Sequence, residues 1–246
     1  MKQVLLRYLG NSAFEFQTEN GLRILIDPHI TGNPLCPISI DQLSRPDLIL
    51  VSHAAHDHMS DVPELARRFQ CRVICDPGVG HFLRKQGISR DQITSMVWGQ
   101  VFPFGSVRVR VVESKHISFR DGETAITGLP LGFIIYTESG FRLYHSGDTS
   151  IFSDLKLFGK LYRPHVGLIL VGNYPGNLAE LSPEEAALAC KWLGLKVAIP
   201  MHYEKGSEDP EHFLRALTRE SPKTKGIVLE PGKTQAFLTA KFLPRG

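Results

Sequence analysis

Hydrophobic and polar positions along the chain predict short paired strands first and strand–helix alternation later. Residues 4–9 and 12–18 read as strands flanking Gly10-Asn11, and Asn20-Gly21 is a hairpin turn into a strand over 22–26. A loop rich in Pro and Gly follows over 28–46. Residues 47–52 and 71–75 are continuously apolar, the pattern of strands buried on both faces. Between them, 61–69 reads as a helix with Asp61 as its N-cap and Pro63 in its first turn. Residues 77–86 read as a second helix, ended by Gly87. Two hairpins follow, 101–104 with 107–112 around Gly105, and 132–137 with 141–145 around Glu138-Ser139-Gly140. The period then changes. Strands over 166–171 and 197–201 alternate with helices over 183–193, capped by Ser182, and 210–218, and strands over 227–229 and 235–238 close the chain.

Each half thus opens with hairpins and passes into β-α alternation. That order predicts an α/β protein, a four-layer αββα sandwich of two mixed sheets flanked by helices. No linker or low-complexity stretch divides the 246 residues, so a single domain is expected. With 42% hydrophobic and 22% charged residues the composition is that of an ordinary globular protein. The net charge of +3, carried by scattered Lys and Arg, argues against a nucleic-acid partner and leaves a small-molecule substrate as the expectation. The longest apolar runs are strand-length, which excludes a membrane-spanning helix among them. The first residues lead directly into a strand, so a cytoplasmic location is expected. Cys71 and Cys75 share one apolar strand and read as packing rather than as ligands. The oligomeric state is left open, a homo-oligomer included.

The chemistry gathers where strands end. Asp27, His53 with His58, His116, Asp148 and His202 each stand at or just beyond the end of an apolar strand, where α/β sheets place their sites. Histidine and aspartate without thiolate suit zinc first, and manganese or iron otherwise. Asp57 and His58 can serve one ion only from a turn, and Asp148 has two oxygens with which to bridge two ions. Asp27 reads as a carboxylate that orients the His53 loop rather than a ligand. Tyr203, beside His202, is a donor to a developing oxyanion or a packed aromatic. His29 faces the substrate or solvent, His145 reads as packing, and Gly172-Asn173-Tyr174 is placed to line a pocket. There is neither a GxxxxGK phosphate loop nor a serine nucleophile elbow.

The segments Tyr8-Leu9-Gly10-Asn11-Ser12-Ala13-Phe14, Ile24-Leu25-Ile26-Asp27-Pro28, Ser52-His53-Ala54-Ala55-His56-Asp57-His58, Ser146-Gly147-Asp148-Thr149 and Pro200-Met201-His202-Tyr203 together resemble the metallo-β-lactamase superfamily. Within it they resemble most the metal-dependent hydrolases that include the ascorbate-6-phosphate lactonase group. The resemblance implies the αββα fold and one or two divalent ions. It also implies a metal-activated hydroxide that attacks a small ester, lactone or phosphoester, with Asp57 orienting the nucleophile or accepting its proton. It places His53 and His116 on one ion, Asp57, His58 and His202 on the other, and Asp148 between them. One position departs. The family motif is His-x-His-x-Asp-His, and here Ala55 stands where the second histidine belongs, with His56 one residue later. Three readings stay open: His56 moves in as the missing ligand, the first ion is weak or absent, or the chain is a catalytically silent binding protein. Nucleic-acid processing on this fold would want a basic stripe or an added arm, and neither is visible.

Overall fold

The computed structural model describes residues 2–120, 126–172 and 180–242. Strands β1 (Gln3–Gly10), β2 (Ala13–Gln17) and β3 (Arg23–Ile26) form an antiparallel meander. Parallel strands β4 (Leu48–Leu50), β5 (Arg72–Cys75) and β6 (Ile93–Ser95) continue the sheet. Between β4 and β5 lie a single helical turn, α1 (His56–Met59), and helix α2 (Val62–Phe69); α3 (Pro77–Lys85) follows β5. The chain then builds a second sheet from β7 (Val101–Phe104) and β8 (Val107–Glu113), and a small hairpin, β9 (Ser118–Arg120) with β10 (Ile126–Gly128), stands apart. The second sheet continues with β11 (Leu131–Tyr136) and β12 (Arg142–His145). Helix α4 (Leu155–Tyr162), strand β13 (Val166–Leu170), helix α5 (Pro183–Leu193), strand β14 (Val197–Met201), helix α6 (Asp209–Glu220) and the two-residue β15 (Lys225–Gly226) follow. The last strand, β16 (Thr234–Leu238), returns to pair with β1. The sheet orders are β16-β1-β2-β3-β4-β5-β6 and β15-β14-β13-β12-β11-β8-β7.

Alternation builds the layers. Ile24 and Ile26 of β3 join Val109, Val111 and Phe133 in one core cluster, whereas Leu25 between them packs with Leu65, Val79 and Leu83 of α2 and α3. Successive side chains of a strand face opposite sides, so one sheet separates two apolar layers. This is the expected sandwich of two mixed sheets flanked by helices.

Local expectations hold where the signal is a cap or a turn. Ser182 closes a capping box with Glu185 at the start of α5, and Gly21 donates to the Thr18 carbonyl at the predicted hairpin. Two readings need correction, and one helix goes unread. The strand expected over 227–229 ends earlier, at Gly226, although Ile227 N–H still donates to Ala198 O at 2.9 Å. The next rung would need an N–H from Pro200, and proline has none. Asp61 occupies the N-cap position of α2 but makes no cap hydrogen bond. Its Oδ2 instead accepts from the N–H groups of Ile30 and Thr31 at 2.6 and 2.9 Å, tying the loop after β3 to the helix. Helix α4, which contains Gly159, carries no assignment in the sequence reading. That glycine lets α4 approach α5, since a Cβ there would stand 2.3 Å from Trp192 O.

Candidate metal centre

The residues read as chemical from sequence converge between the two sheets, at the ends of β3, β4, β12 and β14 and in the segment after β8. His53 follows β4, Asp57 and His58 lie on the helical turn α1, Asp148 follows the tight turn after β12, and His202 follows β14. Donor atoms of His53, His116 and Asp148 lie within 4.8 Å of one another, as do those of Asp57, His58 and His202. A third such group joins Asp148, His202 and Glu180, a residue absent from the sequence reading. Asp148 Oδ2 is the hub: His58 Nε2 stands 3.1 Å from it, His202 Nε2 3.3 Å and His53 Nε2 3.6 Å. Asp57 Oδ2 completes the far side, 3.3 Å from His202 Nε2 and 3.6 Å from His58 Nε2.

The imidazoles are aimed by a network behind them. Asp27, wholly buried with φ of 44°, accepts from Ser52 N–H at 2.7 Å, Ser52 Oγ–H at 2.6 Å and His58 Nδ1–H at 2.9 Å. Because the Ser52 hydroxyl is spent on Asp27, its oxygen is left to accept from His53 Nδ1–H, 3.0 Å away. Both histidines therefore have Nδ1 held from behind and Nε2 aimed at Asp148, the arrangement a metal-ligating imidazole needs. Asp27 orients the His53 loop as expected, through Ser52, and also holds His58.

His145 is more than packing. Its Nδ1 accepts from Gly147 N–H at 3.1 Å and its Nε2–H donates to Ser12 O at 3.0 Å, so it clamps the turn before Asp148 to the loop after β1. Gly147 has φ of +57°, and a Cβ there would stand 2.6 Å from Leu131 O, so glycine is needed for this turn. Next to Ser12, Asn11 donates from Nδ2 to Asp57 Oδ2 at 3.0 Å and to Asp57 O at 3.2 Å. Neither role leaves a mark in the sequence, because each joins residues distant along the chain.

His56 is corrected. It is exposed, its ring lies edge-on to His29 at 5.4 Å, and it joins none of the metal-capable groups among the described residues. On a helical turn successive residues point about 100° apart. The turn that sends His58 inward sends His56 out, so His56 does not stand in for Ala55. His29 is buried, with Nδ1 2.8 Å from Ser60 Oγ, and lines a pocket of ≈ 330 Å³ together with Asn11, Asn33, Asp57 and Tyr203. Tyr203 is half-buried there, its ring 6.3 Å from that of Tyr8. Gly172 is described with φ of +102°; Asn173 and Tyr174 lie outside the described residues.

Charge at the centre follows from burial and proximity. Burial alone would raise Asp148 and Asp57, but the imidazoles of His202 and His58 hold both well below the usual carboxylate range. Burial would likewise lower His58, and the carboxylates of Asp148, Asp57 and Asp27 instead push it well up. His53 goes the other way, lowered to about 3 by burial and by His58. Burial and the Asp148 charge push Glu180, whose Oε2 is 3.6 Å from His202 Nδ1, up to about 7. The donor set fits divalent ions. His53 Nε2 and Asp148 Oδ1 are buried and make no hydrogen bond among the described residues, and orphaned polar atoms at such depth call for a partner.

A family model, the Beta-lactamase superfamily domain, matches residues 22–203. The chain belongs to that superfamily. A UPF0173 metal-dependent hydrolase of Methanobrevibacter smithii is 36% identical over 93% of this chain and 95% of its own length. A second, from Methanosphaera stadtmanae, is 35% identical over 93% and 97%. Among solved structures, Igni18, a metallo hydrolase from Ignicoccus hospitalis, superposes with a TM-score of 0.83 at 29% identity, covering 96% of this chain and 99% of that one. The protein is thus a metal-dependent hydrolase with the metallo-β-lactamase fold, and no helix among its described residues is long and apolar enough to cross a membrane.

Proposed function

We propose that the chain hydrolyses a small ester, lactone or phosphoester, using one or two divalent ions, zinc ahead of manganese or iron. The observation that carries this reading is the pair of Nε2 atoms, on His53 and His58, that Asp27 and Ser52 aim at Asp148. In it His53, His116 and Asp148 would hold one ion and Asp57, His58 and His202 the other, with Asp148 close enough to serve both. The ions supply Lewis acidity and make hydroxide available near neutral pH.

The chain's own groups do the rest. Asp57, whose side chain is 32% exposed, is open to the pocket while its Oδ2 is held by Asn11, so Oδ1 is the oxygen left to orient the attacking water. Tyr203, on the same pocket wall, offers a hydroxyl to the oxyanion that develops on the substrate. The buried network behind His53 and His58 keeps those groups from reorienting as charge moves. The setting we propose is the cytoplasm, in keeping with four free cysteines, and the substrate a small molecule rather than a nucleic acid, in keeping with the scattered charge.

Elemental analysis of natively purified protein, with hydrolysis assays on generic lactone, carboxyl ester and phosphodiester substrates under zinc, manganese and iron, tests the proposal. Divalent metal in wild type, and loss of both metal and hydrolysis in Asp148→Asn, is the expected result. Hydrolysis that Asp148→Asn leaves intact would overturn it. Metal without any hydrolysis would instead favour the binding-only reading that Ala55 raises.

A further inference from the structure

The centre has two ends with opposite chemistry. The imidazoles run in a row, His116 to His53 at 5.3 Å between ring centroids, His53 to His58 at 4.1 Å and His58 to His202 at 5.4 Å. The His202 end opens on the polar pocket of His29, Asn33 and Asp57, with Lys205 at its rim. The His116 end opens on a separate groove of ≈ 580 Å³ with Trp98, Leu129 and Pro130 in its wall. Both volumes lie in or near the range that small-molecule sites occupy.

The groove is built to be apolar. The Trp98 indole N–H donates to Pro130 O at 2.7 Å, which satisfies its polar atom and leaves the ring face to the groove. The two charged residues of its wall, Glu113 and Lys115, pair with each other at 2.7 Å and so leave no net charge to bind an ion. Val97, Trp98, Ile117 and Phe119 are four of the eight large hydrophobics exposed among the described residues; Trp98 lines the groove, and the other three lie within three residues of its lining positions Trp98 and His116 along the chain. Ile117 and Phe119 alternate with Ser118, whose hydroxyl donates inward to Asp76 at 3.4 Å, so the strand turns its apolar side outward next to His116. Exposed apolar surface concentrated at the mouth of a site marks a ligand-binding groove.

We propose that the substrate is amphipathic, with its polar end in the His29 pocket, its hydrolysable group over the row of imidazoles, and an alkyl or aryl arm lying across His116 against Trp98 and Leu129. This rests on the hydrolase reading for the chemistry but not for the arm.

The chain has two tryptophans, so in Trp192→Phe the emission of Trp98 reports on the groove alone. Non-hydrolysable alkyl phosphonates, from butyl to decyl, are titrated into the zinc-loaded variant. Trp98 emission should shift to the blue, and affinity should rise roughly two- to threefold per methylene, less than full burial gives because the groove is shallow and largely open to solvent. Leu129→Ser should flatten that series while zinc stoichiometry stays as in wild type. Affinity independent of chain length, or a series that Leu129→Ser does not flatten, overturns the proposal. So does a Trp98 shift that follows protein concentration without ligand, which would make the groove an interface between copies. A chain-length series that holds while no alkyl-bearing carboxyl ester, lactone or phosphoester is hydrolysed would support the arm and sink the proposed ester, lactone or phosphoester chemistry instead.

Discussion

Replacing Asp27 with Asn isolates how the histidines are aimed. The backbone tolerates the change, because Asn occupies the left-handed region at φ of 44° as readily as Asp. The side chain does not. Oδ1 accepts from Ser52 N–H and Oδ2 accepts from both Ser52 Oγ–H and His58 Nδ1–H, whereas an amide offers one oxygen and one NH₂. With the amide oxygen at the Oδ2 position, the NH₂ faces the Ser52 N–H across 2.7 Å, a buried donor against a donor, at about 1–3 kcal/mol. With the oxygen at the Oδ1 position, the NH₂ instead donates toward Ser52 Oγ and His58 Nδ1. His58 must then shift its proton to Nε2. The Ser52 hydroxyl turns to His53 Nδ1 and drives the same shift there. Either way a metal-facing nitrogen is protonated or displaced. Zinc affinity should fall by about 10–100-fold, roughly 1.4–2.7 kcal/mol. Competition against a fluorescent zinc chelator measures this, with circular dichroism to show that the variant is folded. A folded Asp27→Asn protein that binds zinc as tightly as wild type would refute the tautomer argument.

Gly147→Ala should lower stability by about 2 kcal/mol or more, from the strained φ of +57° and the approach to Leu131 O, read as a shift of the urea midpoint; an unmoved midpoint would contradict the turn geometry. His56→Ala should leave metal stoichiometry unchanged by elemental analysis, since the ring faces out against His29, and a lost ion would restore it as a ligand. His165 is held near 4 by burial and by Arg142 and Lys196, while its Nδ1 accepts from Arg142 N–H. The unfolded chain takes up that proton near 6.5, so stability should fall as pH drops from 6.5 toward 4, by at most about 3 kcal/mol and by less to the extent that solvent reaches the ring. The difference in unfolding free energy between wild type and His165→Asn across this window measures the effect, and parallel pH profiles would rule it out.

What the sequence determined by itself is what local rules govern. The turns at Gly10-Asn11 and Asn20-Gly21 marked β1 to β3, continuous apolar runs marked β4, β5, β13 and β14, and Ser182 with Pro183 marked the start of α5. The strand ends then singled out His53, Asp57, His58, His116, Asp148 and His202, because a buried strand in an α/β sheet delivers its next residues to one edge. Packing decided the rest. His56 and His58 are two residues apart and equally polar, and only the seating of α1 under Asp27 sends one inward and the other to solvent. Asp61 looks like a helix cap until the loop after β3 brings Ile30 and Thr31 within its reach. Glu180 meets Asp148 and His202, and His145 meets Ser12 and Gly147, through contacts set by how two sheets stack rather than by neighbours in the chain. Hydrogen-bond geometry across a gap of that kind has no period and no spacing to read. The chain specified the chemical groups, and the sandwich specified which nitrogen of His53 and of His58 faces Asp148.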